Sequence, residues 1–556
     1  MSKILPLVDY LKTFPADSEA RPQQKVALEK IGQIFSSGKK FAIACLPTGS
    51  GKSHIAAAVA RSATPIDSYK RGLVESYSIY KKDREGNYQY EDEFLNSDSF
   101  GSYILTVSKS LQDQYKALFS DIAVAKGKGN YACDVDPNVS VDFAPCLYAN
   151  KLKEKCFAAD RCSYYKARNG AIVSLESILN YRSFIALPTF LRKREIYICD
   201  EAGDLEDELV AHYSITIQYS HLQAENIDFK KLITDDSKQA GLWLNDIYIK
   251  VNTEFEKTKD RLANLAKKDT HSSIKTKEMQ RLGKLTGLVN SLSDAISNWD
   301  ECEYLVEDRD ADKVTFVPYD IRPLARKLFN GADMVLMMSA TITDHVEFTK
   351  SLGINEAEYE YIEVASSFDP KKSPIKCSRA YNLSYKTMDR DLPKVLDMVS
   401  QICEKHKGEK GIIHTHTNRI TEALKRKIGN NDRFLFRQIG STNEDILEIH
   451  KNSKDDTILV SPSLDTGISL DDDLGRFQII VKAPFLPLSS NRIKKIFDKN
   501  KKYYAMKMLD VLVQMCGRCT RSIKDYSTTY ILDGSAFNSI IDNKKHLPKH
   551  FLDRFL

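Results

Sequence analysis

A glycine-rich segment between two apolar runs constrains this chain more than any other feature. Leu46 to Ser53 read Leu-Pro-Thr-Gly-Ser-Gly-Lys-Ser, after the apolar run Lys40–Leu46 and before the helix-forming run Ile55–Val59. This order predicts a strand, a loop and a helix, in which backbone N–H groups cradle phosphate groups. The expected cradle is Thr48, Gly49, Ser50, Gly51, Lys52 and Ser53, with Lys52 on the terminal phosphates and Ser53 on Mg²⁺. A chance glycine turn is the alternative, which the strand and helix context disfavours.

An acidic pair follows a second apolar run. Ile196 to Cys199 predict a buried strand, and Asp200 and Glu201 come directly after it. Carboxylates at the end of a buried strand are costly unless they meet a cation or a positioned water. Asp200 suits the Mg²⁺ shell, and Glu201 suits the base that orients the attacking water in ATP hydrolysis.

A third element lies more than 450 residues beyond the loop, in the segment that begins at Gln514 and carries Arg518 and Arg521. Arginines supplied by a second domain stabilise the transition state of phosphoryl transfer and make hydrolysis depend on domain closure. The segment therefore predicts a motor whose two domains close over ATP. A pair of surface arginines on a helix is the alternative.

Short apolar runs that end in polar or glycine-rich turns recur along the chain, as is typical of buried parallel strands in α/β domains. They are Lys40–Leu46, Tyr103–Val107, Glu195–Cys199, Met334–Met338, Gly411–His414, Thr457–Val460 and Phe477–Val481. Residues 126–166, which are basic and rich in cysteine, and residues 206–312, which have helical spacing, interrupt them. Because a chain of 556 residues exceeds a single core, we expect an α/β protein of several domains with two insertions in the first.

Composition narrows the class of protein. The apolar fraction of 42% and the charged fraction of 28% are those of a soluble globular chain. No run of about 18 apolar residues and no secretory pattern occurs, so we expect a cytoplasmic or nuclear protein without a membrane span. The net charge of +5 is small, so nucleic acid would be contacted through local basic patches, of which residues 101–194 and 492–507 stand out. Solvated helix faces are the alternative for both patches.

Four cysteines lie close together: Cys133, Cys146, Cys156 and Cys162. Their spacings of 12, 9 and 5 intervening residues lack the close pairs that structural zinc sites usually have. Four thiolates on long loops can instead hold a [4Fe-4S] cluster. Zinc and plain thiols remain alternatives.

Taken together, these motifs resemble those of the XPD/DinG family of superfamily 2 helicases. Further matches are Arg21-Pro-Gln-Gln24 (the base-sensing Q motif), Thr106 to Gln114 (motif Ia), Ser339-Ala340-Thr341 (motif III), Ser366-Ser367-Phe368, and Leu464 to Ser469 with Ala483-Pro484-Phe485 (motif V). The sequence departs from the family pattern at Leu46, Gly203 and Ser469.

The resemblance implies two RecA-like P-loop domains and hydrolysis of ATP with Mg²⁺ between them. Arg21, Gln24 and Gly467 would join the loop and Asp200 in binding the nucleotide, and Gln514, Arg518 and Arg521 would join Lys52, Asp200 and Glu201 in catalysis. The four cysteines would bind the [4Fe-4S] cluster, and residues 206–312 would form a helical arch-like insertion. The activity implied is that of a DNA helicase moving 5′ to 3′ as a monomer on single-stranded, forked or tailed DNA.

The expected domain order follows from the motifs and the resemblance. It is 1–125 (first domain, with the Q motif and motifs I and Ia), 126–166 (iron-sulfur domain), 167–205 (first domain, with motif II), 206–312 (arch), 313–345 (first domain, with motif III) and 346–556 (second domain). One alternative is an RNA helicase or a translocase that remodels without unwinding. An alternative of another class is an ATP-gated, redox-sensing DNA-binding module. A nuclease is disfavoured because no second acidic and histidine cluster could hold catalytic metals.

Overall fold

Two parallel sheets, each covered by helices, organise the chain in the computed structural model. The described residues are 8–76, 80–82, 88–90, 98–147, 162–266, 273–437, 442–462, 470, 472–519 and 525–555. No helix within these ranges has both the length and the apolar character needed to cross a bilayer.

The first sheet has seven parallel strands. Their spatial order is Tyr359–Glu363, Phe41–Cys45, Ala332–Ser339, Arg194–Asp200, Ser102–Thr106, Glu176–Asn180 and Ala123–Val124. Every residue of Phe41–Cys45 is buried. Because side chains alternate along a strand, Phe41 and Ile43 enter the core on one face of the sheet, and Ala42 and Ala44 the core on the other. Both faces are therefore covered.

Helices of this first unit begin where the sequence supplies caps. Pro22 opens the first helix after Arg21, and the side chain of Ser108 accepts from the backbone N–H of Leu111 at the start of another. The helices are Pro22–Ser36, Lys52–Ala60, Ser68–Glu75, Lys109–Leu118, Ser163–Val173, Tyr181–Ile185, Leu205–Tyr213, Tyr219–Ala224, Arg322–Phe329 and His345–Ser351. A two-stranded ribbon, Tyr80–Lys82 with Tyr88–Tyr90, lies between the strands Phe41–Cys45 and Ser102–Thr106 in sequence.

The second sheet has six parallel strands, in the order Ile375–Cys377, Thr528–Ile531, Phe477–Ile480, Gly411–His414, Ile458–Ser461 and Phe434–Phe436. The helices around it are Met388–Lys405, Asn418–Ile428, Asn443–Asn452, Asn491–Lys499, Lys501–Cys516, Gly534–Asp542 and Lys549–Leu552. All seven strands expected from apolar runs are present in the two sheets, within two residues at each end. The α/β class with two parallel-sheet units is confirmed.

The stretch expected to form an arch contains two long helices that pack against each other, Ser237–Ala266 and Ser273–Ser297. It also contains strands, since Ile215–Gln218, Leu305–Arg309 and Lys313–Val317 form an antiparallel sheet. Leu244, Leu285 and Trp299 of this region belong to the same core as Phe41. The insertion is thus packed onto the first unit, its sheet extends past residue 312, and the first parallel sheet extends past residue 345 to Glu363.

Candidate functional site

The phosphate loop has the backbone that its glycines predict. Gly49 and Gly51 adopt left-handed conformations, with φ of 78° and 79°. The Gln24 side-chain amide donates to the Gly51 carbonyl at 3.2 Å, and Arg21 Nη1 donates to the Gly49 carbonyl at 3.0 Å. A Cβ atom on Gly51 would lie 2.2 Å from Gln24 Nε2, so only glycine permits this approach. Arg21 and Gln24 therefore brace the loop from the first helix.

The acidic pair lies beside the loop, at the end of strand Arg194–Asp200. Lys52 Nζ and Glu201 Oε1 form an ion pair at 2.7 Å. Asp200 is 3% exposed and accepts a hydrogen bond from the Tyr115 hydroxyl at 2.8 Å. Burial, reinforced by the charge of Glu201, raises the pKa of Asp200 to about 6. A divalent cation would offset both effects, which fits the expected role of Asp200.

Gly203 lies against the Ser339–Thr341 turn. A Cβ atom on Gly203 would lie 3.3 Å from Ser339 Oγ and 3.4 Å from Thr341 Oγ1, and these two hydroxyl oxygens are 3.1 Å apart. Any larger side chain would have to displace one of the hydroxyls. Glycine at position 203, where the sequence departs from the family pattern, therefore allows the acidic motif to pack closely against motif III.

A cavity of about 300 Å³ lies between the two units and joins the predicted motifs. The loop contributes Thr48, the motif III turn contributes Thr341, and Gln514 and Gly517 come from the far end of the chain. A Cβ atom on Gly517 would lie 3.2 Å from Thr48 Oγ1. The backbone of Gly517, in the second unit, therefore lies close to the Thr48 side chain of the loop. Ser366 and Phe368 line the same cavity.

Of the two arginines expected to act from the second unit, Arg518 is described. It is 7% exposed, and its charge lowers the pKa of Asp204, which burial and the charge of Glu201 otherwise raise to about 6. The guanidinium charge of Arg518 therefore acts on the Asp204 carboxylate, which follows the acidic pair. Arg521, Gly467 and Ser469 lie outside the described residues.

A segment that sequence reasoning missed completes the cavity wall. Lys549, His550, Phe551, Asp553 and Arg554 all line it. No motif, spacing or periodicity signals these residues, because they reach the cavity only through the folding of the second unit.

The basic stretch 492–507 was expected to contact nucleic acid, and the structure corrects this in part. Arg492 Nη2 pairs with Glu206 at 2.5 Å, and both residues are buried. The Tyr503 hydroxyl also donates to Glu206. We call this set of contacts between the units the interdomain clasp. Its ion pairs join Arg492 to Glu206, Lys495 and Lys499 to Glu303, Lys502 to Asp344 and Glu347, and Lys507 to Glu206 and Asp207. Five of the seven basic residues in the stretch thus hold the units together, because acidic side chains far away in sequence face them.

The cysteine segment is partly described. Cys133 and Cys146 pack in one small apolar cluster, and Cys162 packs beside Tyr164 in a second one. Asp134 Oδ2 accepts from the backbone N–H of Ser163 at 2.8 Å, which brings the neighbours of Cys133 and Cys162 together. Cys156 lies outside the described residues. Within the described ranges, no three histidine, cysteine or acidic side chains form a group that could hold a metal ion.

Comparison with known proteins agrees with this geometry. Residues 401–552 match the family model of a helicase C-terminal domain, and residues 17–126 match that of the type III restriction enzyme res subunit. No curated protein sequence matches the chain. The fold and the matched helicase domain together support an ATP-driven nucleic-acid helicase.

Solved structures of XPD helicases share the fold. One XPD helicase superposes with a TM-score of 0.60 at 15% identity, over 95% of this chain and 98% of the other. An apo XPD gives 0.52 at 14% identity, over 91% of this chain and 95% of its own. Xpd4 of S. tokodaii gives 0.51 at 13% identity, over 94% of this chain and 97% of its own. This chain therefore shares the fold of XPD helicases over nearly its whole length, and the resemblance to the XPD/DinG family is confirmed at the level of the fold.

Proposed function

We propose that the chain is an ATP-dependent DNA helicase that hydrolyses ATP between its two units and moves 5′ to 3′ along single-stranded DNA. The observation that carries this proposal is the cavity where Thr48, Thr341, Gln514 and Gly517 meet. Because groups from both units surround one phosphate loop, the rate of ATP hydrolysis would depend on how the two units are positioned. That dependence is what converts ATP turnover into movement.

The residues around the loop fit a nucleotide with Mg²⁺. Ser50 Oγ is buried without a hydrogen-bond partner among the described residues, so a phosphate oxygen would satisfy it. Mg²⁺, when bound, would neutralise phosphate charge, and Ser53 and Asp200 would hold it. Thr48, Gly49 and Gly51 would supply the backbone of the cradle.

Lys52 and Glu201 would change partners as ATP enters. Their ion pair at 2.7 Å engages both the Lys52 ammonium and the Glu201 carboxylate. When Lys52 binds the terminal phosphates, the Glu201 carboxylate is released to orient the attacking water and accept its proton. The pair would thus keep the base from acting on water before a nucleotide is bound.

Gln514, Arg518 and Arg521 would act from the second unit. The approach of Gly517 to Thr48 supports closure of this helix end onto the loop. Arg518, whose charge acts on Asp204, would stabilise the charge that develops during phosphoryl transfer, together with Arg521.

The cysteine segment would hold a [4Fe-4S] cluster through Cys133, Cys146, Cys156 and Cys162. The packing of Cys133 against Cys146 and the hydrogen bond between Asp134 and Ser163 support a shared site. The cluster, when bound, would cross-link the segment through iron–thiolate bonds. The segment and the long helices 237–297 would then form the part of the molecule that parts the duplex.

The choice of DNA and of the 5′ to 3′ direction rests on the resemblance. A strand-displacement assay with 5′-tailed and 3′-tailed duplexes, with DNA or RNA as the loading strand, tests both. We expect ATP-dependent unwinding of the 5′-tailed DNA substrate alone. Unwinding from RNA tails would favour an RNA helicase, and ATPase stimulation without unwinding would favour a remodelling translocase. No stimulation by any nucleic acid would contradict the motor itself.

A further inference from the structure

The C-terminal segment 549–555 forms a fixed wall of the interdomain cavity. The Arg554 side chain donates to the Ser373 carbonyl at 2.7 Å, and the Arg554 carbonyl accepts from the backbone N–H of Ile375 at 2.8 Å. The backbone N–H of Lys549 donates to Glu363 at 2.7 Å, at the edge of the first sheet. The segment is therefore anchored to both units, and His550, Phe551 and Asp553 between the anchors line the cavity.

His550 is the histidine of this wall. Its Nδ1 atom is buried and has no hydrogen-bond partner among the described residues. A buried ring nitrogen without a partner is costly unless a ligand satisfies it. The cavity that His550 shares with Thr48, Gln514 and Gly517 is where such a ligand would lie.

Burial and the surrounding charges together disfavour the protonated form of His550. Arg554 on its own segment and Lys52 on the loop oppose its protonation, whereas Asp553 favours it. Burial is the largest effect, and the pKa of His550 falls to about 4. Other charged groups nearby are the Lys549 ammonium, which pairs with Asp553, and Glu363, which accepts from the Lys549 backbone N–H. Motif III and the helix end at Gln514 present uncharged groups to the cavity.

We propose that the His550 imidazole contacts the phosphate end of the bound nucleotide and takes up a proton from solvent as the nucleotide enters. This inference rests on the proposed function, because it requires ATP in this cleft. The negative phosphates would reverse the electrostatic environment that Lys52 and Arg554 create, and a protonated imidazole can donate a charge-assisted hydrogen bond to phosphate. The protonation state of His550, a residue of the second unit, would then depend on whether a nucleotide is bound.

Calorimetry can test this on the full chain with Mg²⁺ and a non-hydrolysable ATP analogue. Titrations at pH 6, in buffers of different ionisation enthalpy, give the protons taken up per nucleotide. We expect His550→Gln to take up nearly one proton less than the wild type, and to bind about tenfold more weakly at pH 6 than the wild type. At pH 8 the two proteins should bind within about threefold of each other, because His550 is then neutral in the wild type as well. The exposed His221, in helix Tyr219–Ala224, provides the matched control as His221→Gln.

A second variant separates the charge of His550 from its packing. His550→Lys should retain tight binding at both pH values and lose the difference between them, since lysine stays charged. Equal proton uptake by the wild type and His550→Gln would overturn the inference alone. A wild-type protein that binds no nucleotide would overturn the proposed function and this inference together.

Discussion

Glu201 is held in a conformation that serves its proposed role. Its backbone φ of 50° lies in the left-handed region, which a residue with a side chain rarely adopts. The backbone N–H of Glu201 donates to Asp200 Oδ1 at 3.0 Å, and its carboxylate meets Lys52. The sharp turn after the strand therefore points two adjacent carboxylates at one loop, where an extended backbone would separate them.

This geometry predicts distinct effects of two substitutions. Lys52→Ala and Glu201→Gln should each lower kcat of ATP hydrolysis by at least about 100-fold. Glu201→Gln should still bind ATP, because Lys52 and the loop remain. Steady-state hydrolysis and binding of a fluorescent ATP analogue measure the two effects. Lys30→Ala, on the exposed face of the first helix, should behave as the wild type; normal turnover by either site variant would contradict the assignment.

At the level of elements, the helices Asn491–Lys499 and Lys501–Cys516 belong to the second unit but bind the first. Met508 and Leu512 pack in a core with Ile480 of the second sheet, while Arg492 and Lys507 reach acidic residues of the helix that follows the acidic motif. The interdomain clasp therefore links the helix that carries Gln514, and the helix before it, to the segment after Glu201. Movement of one unit against the other has to alter these contacts.

Arg492→Ala tests the clasp. Removing one partner of a buried ion pair costs roughly 3 to 5 kcal/mol, and we expect the lower end because Tyr503 and Lys507 still contact Glu206. The change should appear as a lower denaturant midpoint and as weaker protection of the clasp from hydrogen exchange. Lys494→Ala removes an exposed cation of the same helix and should leave both measurements unchanged. Equal stability of the two variants would mean that the clasp contributes nothing to docking.

The cysteine segment makes a second prediction for an element. Protein purified without oxygen should carry about four irons per chain, with broad absorption near ~400 nm. Serine at Cys133, Cys146, Cys156 or Cys162 should remove the iron and expose residues 126–166 to proteolysis, since metal binding and local folding are coupled. ATP binding should survive, whereas unwinding should fail. Cys403→Ser, in helix Met388–Lys405 of the second unit, is the control that should keep its iron; a colourless wild-type protein with one zinc would refute the cluster.

For the molecule as a whole, a carboxylate bridges the units beside the cleft. Asp510, on helix Lys501–Cys516, accepts from the backbone N–H of Thr343 at 3.1 Å and from its hydroxyl at 2.7 Å. Burial raises the pKa of Asp510 to about 7, although these hydrogen bonds and the charge of Lys507 lower it in part. The docked state therefore holds a proton that the unfolded chain releases between about pH 4 and pH 7.

The sign of this linkage gives a pH prediction. The raised pKa means that Asp510 contributes a loss of stability as pH rises from about 4 to 7, since the folded state binds more protons there. Asp510→Asn keeps an acceptor for Thr343 and removes the ionisation. Its melting temperature should therefore exceed that of the wild type at pH 8, and the two should converge towards pH 5. If thermal melts across this range showed a difference in melting temperature that did not change with pH, the role of Asp510 as a titrating bridge would be contradicted.

Much of the fold and of the ATP site could be predicted from the sequence. A buried parallel strand needs apolar residues on both faces, so runs such as Phe41–Cys45 and Gly411–His414 are visible without tertiary information. Edge strands such as Tyr359–Glu363 and Phe434–Phe436 were not predicted, because they are short and only partly buried. The loop was predictable because its glycines and Lys52 must be adjacent in sequence to work.

The sequence alone thus determined the phosphate loop, the acidic pair and the two-unit α/β plan, because each of these depends on neighbouring residues. Only the tertiary structure decided that the basic stretch 492–507 joins the interdomain clasp and that His550 faces the phosphate loop. The physical reason is the same for both. A run of charged residues has the same sequence pattern whether it contacts solvent, nucleic acid or the acidic side chains of another unit. The role of a histidine likewise depends on which groups, distant in sequence, surround it.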